Sequence, residues 1–258
     1  MKPILSLVLF LLAFRSFGQD TLQTSVKIYP VLWQQTSAEY RALCYQAFNI
    51  ATLRLNEIAK EKPKEKLAII TDLDETILDN SYAEAQLIKE NKEMNNMEWR
   101  KWTAKSLATA VPGAVEFLQL AKKTGVSIFY VSNRDTGDVN NTLIDMKRLQ
   151  LPDADVSHML FLSNTSSKEA RRQIVAKSYN VIMLLGDNLN DFTTAFEKKP
   201  IAERFTETDK VKDEWGRRFI VLPNSNYGEW ENALYKYQRN LSKNQKQVFW
   251  KELLKGHR

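Results

Sequence analysis

The sequence predicts an α/β fold, a parallel β-sheet with helices on both faces. Three observations carry that expectation. From residue 67 onward, apolar runs of strand length alternate with amphipathic helical segments. The strand runs ("LAII", "SIFYV", "VIMLL") are continuously apolar, the pattern of strands covered on both faces. Polar and acidic residues follow these runs directly, and in such sheets the ligand site lies outside the carboxyl ends of the strands.

The elements read as follows. Between Tyr29 and about Lys60, the residues Tyr40, Leu43, Cys44, Ala47, Phe48, Ala51, Leu55, Ile58 and Ala59 fall at three-and-four spacing, the apolar face of one helix. Cys44 sits in that stripe and reads as an inert core residue. Pro63, within "EKPKEK", breaks the helix. Leu67 to Thr71 then has strand length. Residues 81–110 are polar and helical, with no strand signal, and read as a small helical cap. Pro112 opens the next helix and Gly125 closes it. "VSIFYVS" (126–132) is a second buried strand, and 136–150 is a helix closed before Pro152. "HMLFLS" (158–163) is a third strand, 167–180 a helix, "VIMLLGD" (181–187) a fourth strand and "RRFIVLP" (217–223) a fifth. Residues 228–254 are amphipathic, with Trp230, Leu234, Tyr237, Leu241, Val248 and Leu253 expected to face inward. The predicted organisation is a core over 19–80 and 111–258, with N- and C-terminal helices, and the cap over 81–110.

The chain has 258 residues, 43% hydrophobic and 26% charged, the balance of a globular protein. The first twenty residues stand apart. Lys2 precedes an apolar run from Ile4 to Phe14 that is too short to cross a bilayer and has the length of a signal-peptide core. Ser16 and Gly18 set the expected cleavage after Gly18, so residues 1–18 read as a signal peptide and the mature protein as exported, periplasmic or secreted. No cysteine lies near that point, so neither lipidation nor a stable membrane anchor is expected. Cys44 is the only cysteine, which excludes an internal disulfide. The net charge of +6 includes Lys2 and Arg15 and falls to +4 when they are removed. A mildly basic protein suits anionic partners. The basic residues are spread along the chain, which favours a solvated surface over a groove for a nucleic-acid polymer.

Convergence at the strand ends is the functional signal. Asp72 and Asp74 follow the first strand, Ser132, Asn133 and Arg134 the second, Lys168 lies just past the third, and Gly186, Asp187, Asn188 and Asp191 follow the fourth. No Ser-His-Asp set, zinc-type cysteine pair or glycine-rich phosphate loop is visible. His158 opens a strand and reads as structural. Oxygen ligands without His or Cys suit Mg²⁺. Such an ion compensates the crowded carboxylates of "DLDET". With the ion held by Asp72 and Asp187 and a phosphate oxygen opposite, the phosphorus would lie near the free oxygen of Asp72, the geometry of nucleophilic attack by a carboxylate.

The run "DLDET" at 72–76, "SNR" at 132–134, Lys168 and "GDNLNDF" at 186–192 together resemble the four motifs of the haloacid-dehalogenase superfamily, a Rossmann-like α/β fold. More narrowly they resemble its class C acid phosphatases, the exported lipoprotein e and 5'-nucleotidase type, over about Trp33 to the "PNSNYGEWE" stretch at 223–231. The resemblance implies that Asp72 is the nucleophile, forming an aspartyl-phosphate, and that Asp74 is the acid that protonates the leaving oxygen and then the base that activates water. It implies that Ser132, Asn133 and Lys168 bind phosphoryl oxygens. It also implies that Mg²⁺ is held by Asp72, the Asp74 carbonyl and Asp187, with Asp191 either a further ligand or a partner that orients a metal-bound water. The "DNSY" stretch is one residue shorter than is common in that family, and the chain lacks the lipidated cysteine of its anchored members.

Substrate recognition falls to aromatic residues: Tyr82, Trp99 and Trp102 of the cap, and Tyr227 and Trp230 of the later loop. Base–aromatic stacking is worth ~1–3 kcal/mol per base, and the resemblance favours an aromatic sandwich around a nucleoside monophosphate. Trp99 and Trp102 are three apart and share a helix face, where core packing competes with that role. The leading expectation is a Mg²⁺-dependent acid phosphatase acting on phosphate monoesters, with 5'-nucleotides foremost. A phosphotransferase would use the same residues. A non-catalytic nucleotide- or haem-binding protein would be marked by loss of the nucleophile, and Asp72 is present. A homodimer is left open.

Overall fold

The computed structural model describes residues 26–162 and 164–257, so the expected signal peptide at 1–18 lies outside the described residues. Five strands form one parallel sheet in the order β5-β4-β1-β6-β7, with β1 (Leu67–Thr71) at its centre between β4 (Ser127–Asp135) and β6 (Asn180–Gly186). β5 (Met159–Leu162) and β7 (Phe219–Val221) form the edges. Alternation along β1 explains the continuous apolar run. Ile69 points into one core cluster with Ile128, Tyr130, Met183 and Leu185. Ala68 and Ile70 point into another with Phe129, Val131 and Leu184. Both sheet faces are therefore buried.

The first face is covered by α2 (Ala38–Lys60) and α5 (Ala114–Lys123), through Cys44, Phe48, Ala51 and Leu55 of one and Phe117, Leu118 and Ala121 of the other. α7 (Glu169–Ala176) lies on the second face through Val175. The expected single helix from Tyr29 is two helices. α1 (Ile28–Thr36) ends at Ser37, whose extended backbone stops it and whose hydroxyl accepts a hydrogen bond from the Tyr40 amide, capping α2. Leu43 and Ala59, placed in the buried stripe from spacing alone, are exposed.

Residues 81–110 carry α3 (Ser81–Lys89) and α4 (Asn96–Thr103), but they also end in a strand. β3 (Thr109–Ala110) pairs antiparallel with β2 (Leu78–Asp79), closing a two-stranded ribbon at the base of the segment. Two residues per strand are too few to show a period in sequence. α6 (Val139–Arg148) follows β4 as expected. α8 (Ile201–Lys210), after Pro200, was not anticipated; Phe205 is its one aromatic and is exposed. α9 (Glu229–Leu234) and α10 (Lys243–Leu253) complete the chain described. Here Trp230, Val248 and Leu253 are exposed, contrary to expectation, and Ala233 and Tyr235 make the buried contacts instead. Two short helices replace one long amphipathic one, so the register of the inward face changes between them. Among the described residues no helix is long and apolar enough to cross a membrane.

Candidate active site

Asp72 is the first residue past β1, and its amide still donates to Leu185 O of β6 at 3.0 Å, so the sheet ladder fixes its position. The chain then turns sharply. Leu73, Ile77 and Leu78 are fully buried, and the Leu73 carbonyl accepts from the amides of Ile77 and Leu78 at 2.9 and 2.8 Å. Glu75 takes a left-handed backbone (φ 58°), with its amide bonded to Leu78 O at 2.7 Å. The apolar anchors go down into the core, and Asp72 and Asp74 are left facing a cavity of about 360 Å³ at the carboxyl end of the sheet. Lys168, Asn133, Asp187 and Asp191 line the same cavity. The expected convergence of strand ends is therefore what the fold produces.

Lys168, the N-cap residue of α7, reaches inward until its Nζ lies 2.6 Å from Asp72 Oδ1 and 2.6 Å from Asp191 Oδ1. Burial opposes its charge, but Asp191 and Asp72 outweigh burial and raise its pKa. Arg171 and Arg172, the cations three and four residues further along the chain, act elsewhere. Arg171 donates to Ser132 O and to Asn133 Oδ1, both at 2.6 Å, bracing the end of β4. Arg172 donates to the carbonyls of Asn190 and Asp191 at 3.0 and 2.9 Å, bracing the loop after β6.

One oxygen each of Asp72, Asp187 and Asp191 lies within 4.8 Å of the others, an arrangement that can hold a metal ion. Asp187 is set by Thr76 Oγ1 at 3.1 Å and by Asn224 Nδ2 at 2.8 Å. Asp191 accepts from the Asn188 amide at 3.0 Å, and Gly186 makes room for it: a Cβ there would sit 2.4 Å from Asp191 Oδ2. Burial pushes the Asp72 carboxyl well above the usual range. Lys168 opposes that rise, and Asp191, Asp187 and Asp74 add to it. Burial, then Asp191, push Asp187 up to about 7. Apart from the Lys27–Glu84 ion pair, the cavity brings four carboxylates (Asp72, Asp74, Asp187, Asp191) against two cations, Lys168 and Arg134. A dication supplies the missing charge, and an all-oxygen donor set suits a hard one.

Arg134 is the functional residue that sequence reasoning undervalued. Its buried guanidinium forks onto Asp74, Nη2 to Oδ1 at 2.7 Å and Nε to Oδ1 and Oδ2 at 3.1 and 3.2 Å. Asn80 Nδ2 adds a contact to Oδ1 at 2.9 Å and is itself held by Trp102 Nε1, which donates to Asn80 Oδ1 at 2.8 Å. Trp102 thus orients the site from behind and does not line the cavity. Tyr82 does not line it either: it follows Ser81 at the start of α3 and is 54% exposed. Trp99 and Tyr227 do line it, joined by Lys27, Glu84 and Met94. Ser132 is fully buried beneath the floor, its Oγ accepting from the Arg134 amide at 3.1 Å and lying 3.5 Å from Asp74 Oδ2. Asn224 was missed as well; the only signal for it was its place after the last strand.

Comparison with known proteins agrees with this geometry. Residues 15–230 match the family described as HAD superfamily, subfamily IIIB (Acid phosphatase). The structure of the class C acid phosphatase from Bacillus anthracis is 36% identical in sequence, with a TM-score of 0.86, covering 90% of this chain and 98% of that one. The same enzyme with tungstate bound aligns with the same figures.

Proposed function

The chain belongs to the acid phosphatases of HAD superfamily subfamily IIIB, and from that premise we propose that it hydrolyses phosphate monoesters, 5'-nucleotides foremost, by attack of Asp72 on phosphorus with Mg²⁺ at the acidic cluster. Phosphomonoesterase activity follows from the family and its close structural relative. The observation that carries the mechanism is the clamp on Asp72: one oxygen bound by Lys168 at 2.6 Å, in a cavity that opens to substrate. That the relative binds tungstate, a tetrahedral oxyanion like phosphate, supports a phosphoryl ligand.

Asp72 forms the bond to phosphorus as the ester oxygen leaves, giving an aspartyl-phosphate. Asp74 gives the leaving oxygen its proton, then takes one from the water that attacks the intermediate. Arg134 and Asn80 crowd Oδ1 of Asp74 with three contacts, which leaves Oδ2 as the oxygen that exchanges the proton. Lys168 and the Asn133 side chain offset charge on the phosphoryl oxygens. Ser132 positions Asp74 and the Arg134 amide from below. Asp72, Asp187 and Asp191 would hold Mg²⁺, which when bound neutralises phosphoryl charge. Trp99 and Tyr227 supply aromatic surface for the leaving nucleoside. Export through the leader at 1–18 is part of the same proposal.

The test is phosphate release from a 5'-nucleotide and from an aryl phosphate, with Mg²⁺ and with chelator, for wild type and Asp72→Asn. Metal-dependent turnover that disappears in Asp72→Asn is the expected result. Turnover that survives the substitution removes Asp72 as nucleophile, and equal efficiency on both substrates removes nucleoside selection.

A further inference from the structure

Away from the cavity, residues 236–258 hold a charge imbalance that the remainder of the chain lacks. The segment has seven basic residues and one acid, Glu252, a net charge of +6. The whole chain has 37 basic and 31 acidic residues, so removing seven and one leaves thirty of each in residues 1–235, which are neutral. Basic residues are indeed spread along the chain, but elsewhere acids cancel them. The segment also begins beyond residue 230, where the acid phosphatase match ends.

The segment is built to be presented. α10 starts at a reciprocal cap, with the Ser242 amide donating to Gln245 Oε1 at 2.9 Å and the Gln245 amide to Ser242 Oγ at 3.3 Å. One side of the helix is docked: Trp250 Nε1 donates to the Tyr235 hydroxyl at 3.0 Å, and the Phe249 ring meets the Tyr235 ring edge-on at 5.9 Å. Val248 and Lys251, three apart, share another face, and both are exposed, Val248 by 56%. Leu254 is 78% exposed and is followed by exposed Lys255. Lysines interleaved with unburied aliphatic side chains are the surface of an interfacial helix. The aromatic rings, which single-stranded nucleic acid would need for stacking, are half-buried, Phe249 against the Tyr235 ring and Trp250 bonded to the Tyr235 hydroxyl.

We propose that α10 and the residues after it bind the anionic face of a phospholipid bilayer and hold the enzyme at a membrane surface. The attachment is peripheral, through lysine–headgroup attraction and shallow insertion of Val248 and Leu254. It is independent of the reaction at the cavity.

Sedimentation of the full chain with vesicles of phosphatidylcholine alone, or mixed with phosphatidylglycerol, tests this. Binding is expected only to the mixed vesicles, with release at high salt. Each lysine near an anionic surface is worth about 1 kcal/mol, about fivefold in affinity. Lys243→Gln, Lys251→Gln and Lys255→Gln together should therefore weaken binding about a hundredfold, with aryl phosphate turnover in solution unchanged. Val248→Ser with Leu254→Ser should weaken binding while every charge remains, which attraction to a generic polyanion does not predict. No binding to the mixed vesicles, wild-type binding by the triple variant, or preference for duplex DNA or heparin over vesicles each overturns the proposal.

Discussion

Replacing Lys168 by methionine keeps most of the length of the side chain, one heavy atom short, and removes its charge. The residue is 5% exposed, and its Nζ contacts Asp72 and Asp191 at 2.6 Å each. At an effective dielectric of about 20, each contact attracts by about 6 kcal/mol. Drying the three charged groups offsets much of that gain. The substitution leaves Asp72 and Asp191 buried without their cation, and breaking a buried pair from one side costs about 3–5 kcal/mol. For a domain of this size the loss lowers Tm by roughly 6–20 °C. Activity falls too. Lys168 is the chief group holding the Asp72 carboxyl down against burial, so without it the carboxyl is pushed higher still and the phosphoryl oxygens lose a cation, and turnover should drop by at least about a hundredfold. The assay is calorimetry in chelator and in Mg²⁺, alongside phosphate release. Metal should restore part of the stability, since it replaces the missing positive charge. A chelated Tm within about 2 °C of wild type, with turnover nearly unchanged, would refute the clamp as the organising interaction of the site.

The remaining predictions concern its neighbours. Asp187 is pushed up to about 7 in the metal-free protein. Folding therefore favours its protonated form, a contribution fully present below the ordinary carboxylate pKa of about 4 and lost as pH rises through about 7. Tm in chelator should fall relative to Tm in saturating Mg²⁺ as pH is raised over that interval, because metal takes the deprotonated cluster; a constant difference contradicts the shift. Gly186→Ala places a methyl 2.4 Å from Asp191 Oδ2 and must displace it. Metal affinity measured by titration calorimetry should fall by about tenfold or more, and unchanged affinity would remove Asp191 from the cluster. Arg134→Met releases Asp74. Alkyl phosphates, whose leaving oxygen must be protonated, should lose about 10²–10⁴ in turnover, and nitrophenyl phosphate much less. Equal losses would leave Arg134 a structural role only.

Much of this site can be read along the chain because each contributor follows its own strand. "LAIIT" carries enough apolar character to identify β1, and Asp72 and Asp74 follow it at once. The same logic finds Asn133 after β4 and Asp187 after β6. It fails where an element lacks a repeating apolar signal. α8 presents its only aromatic to solvent, β2 and β3 have two residues each, and Ser37 interrupts a stripe that looks continuous.

The order of strands and helices, the acidic ends of β1 and β6 and the family motifs are properties of residues within a few positions of one another, and the sequence alone determines them. The choice among Lys168, Arg171 and Arg172 as the partner of Asp72 was decided only by how α7 packs on the sheet. So was the fork of Arg134 onto Asp74, sixty residues earlier, and the contact of Asn224 with Asp187. The same holds for the division of the aromatics into Trp99 and Tyr227 at the cavity and Tyr82 and Trp102 away from it. The physical reason is the sheet order β5-β4-β1-β6-β7. It sets the ends of strands far apart in sequence side by side, so a side chain's partner depends on which strand lies next to its own, and no local spacing encodes that.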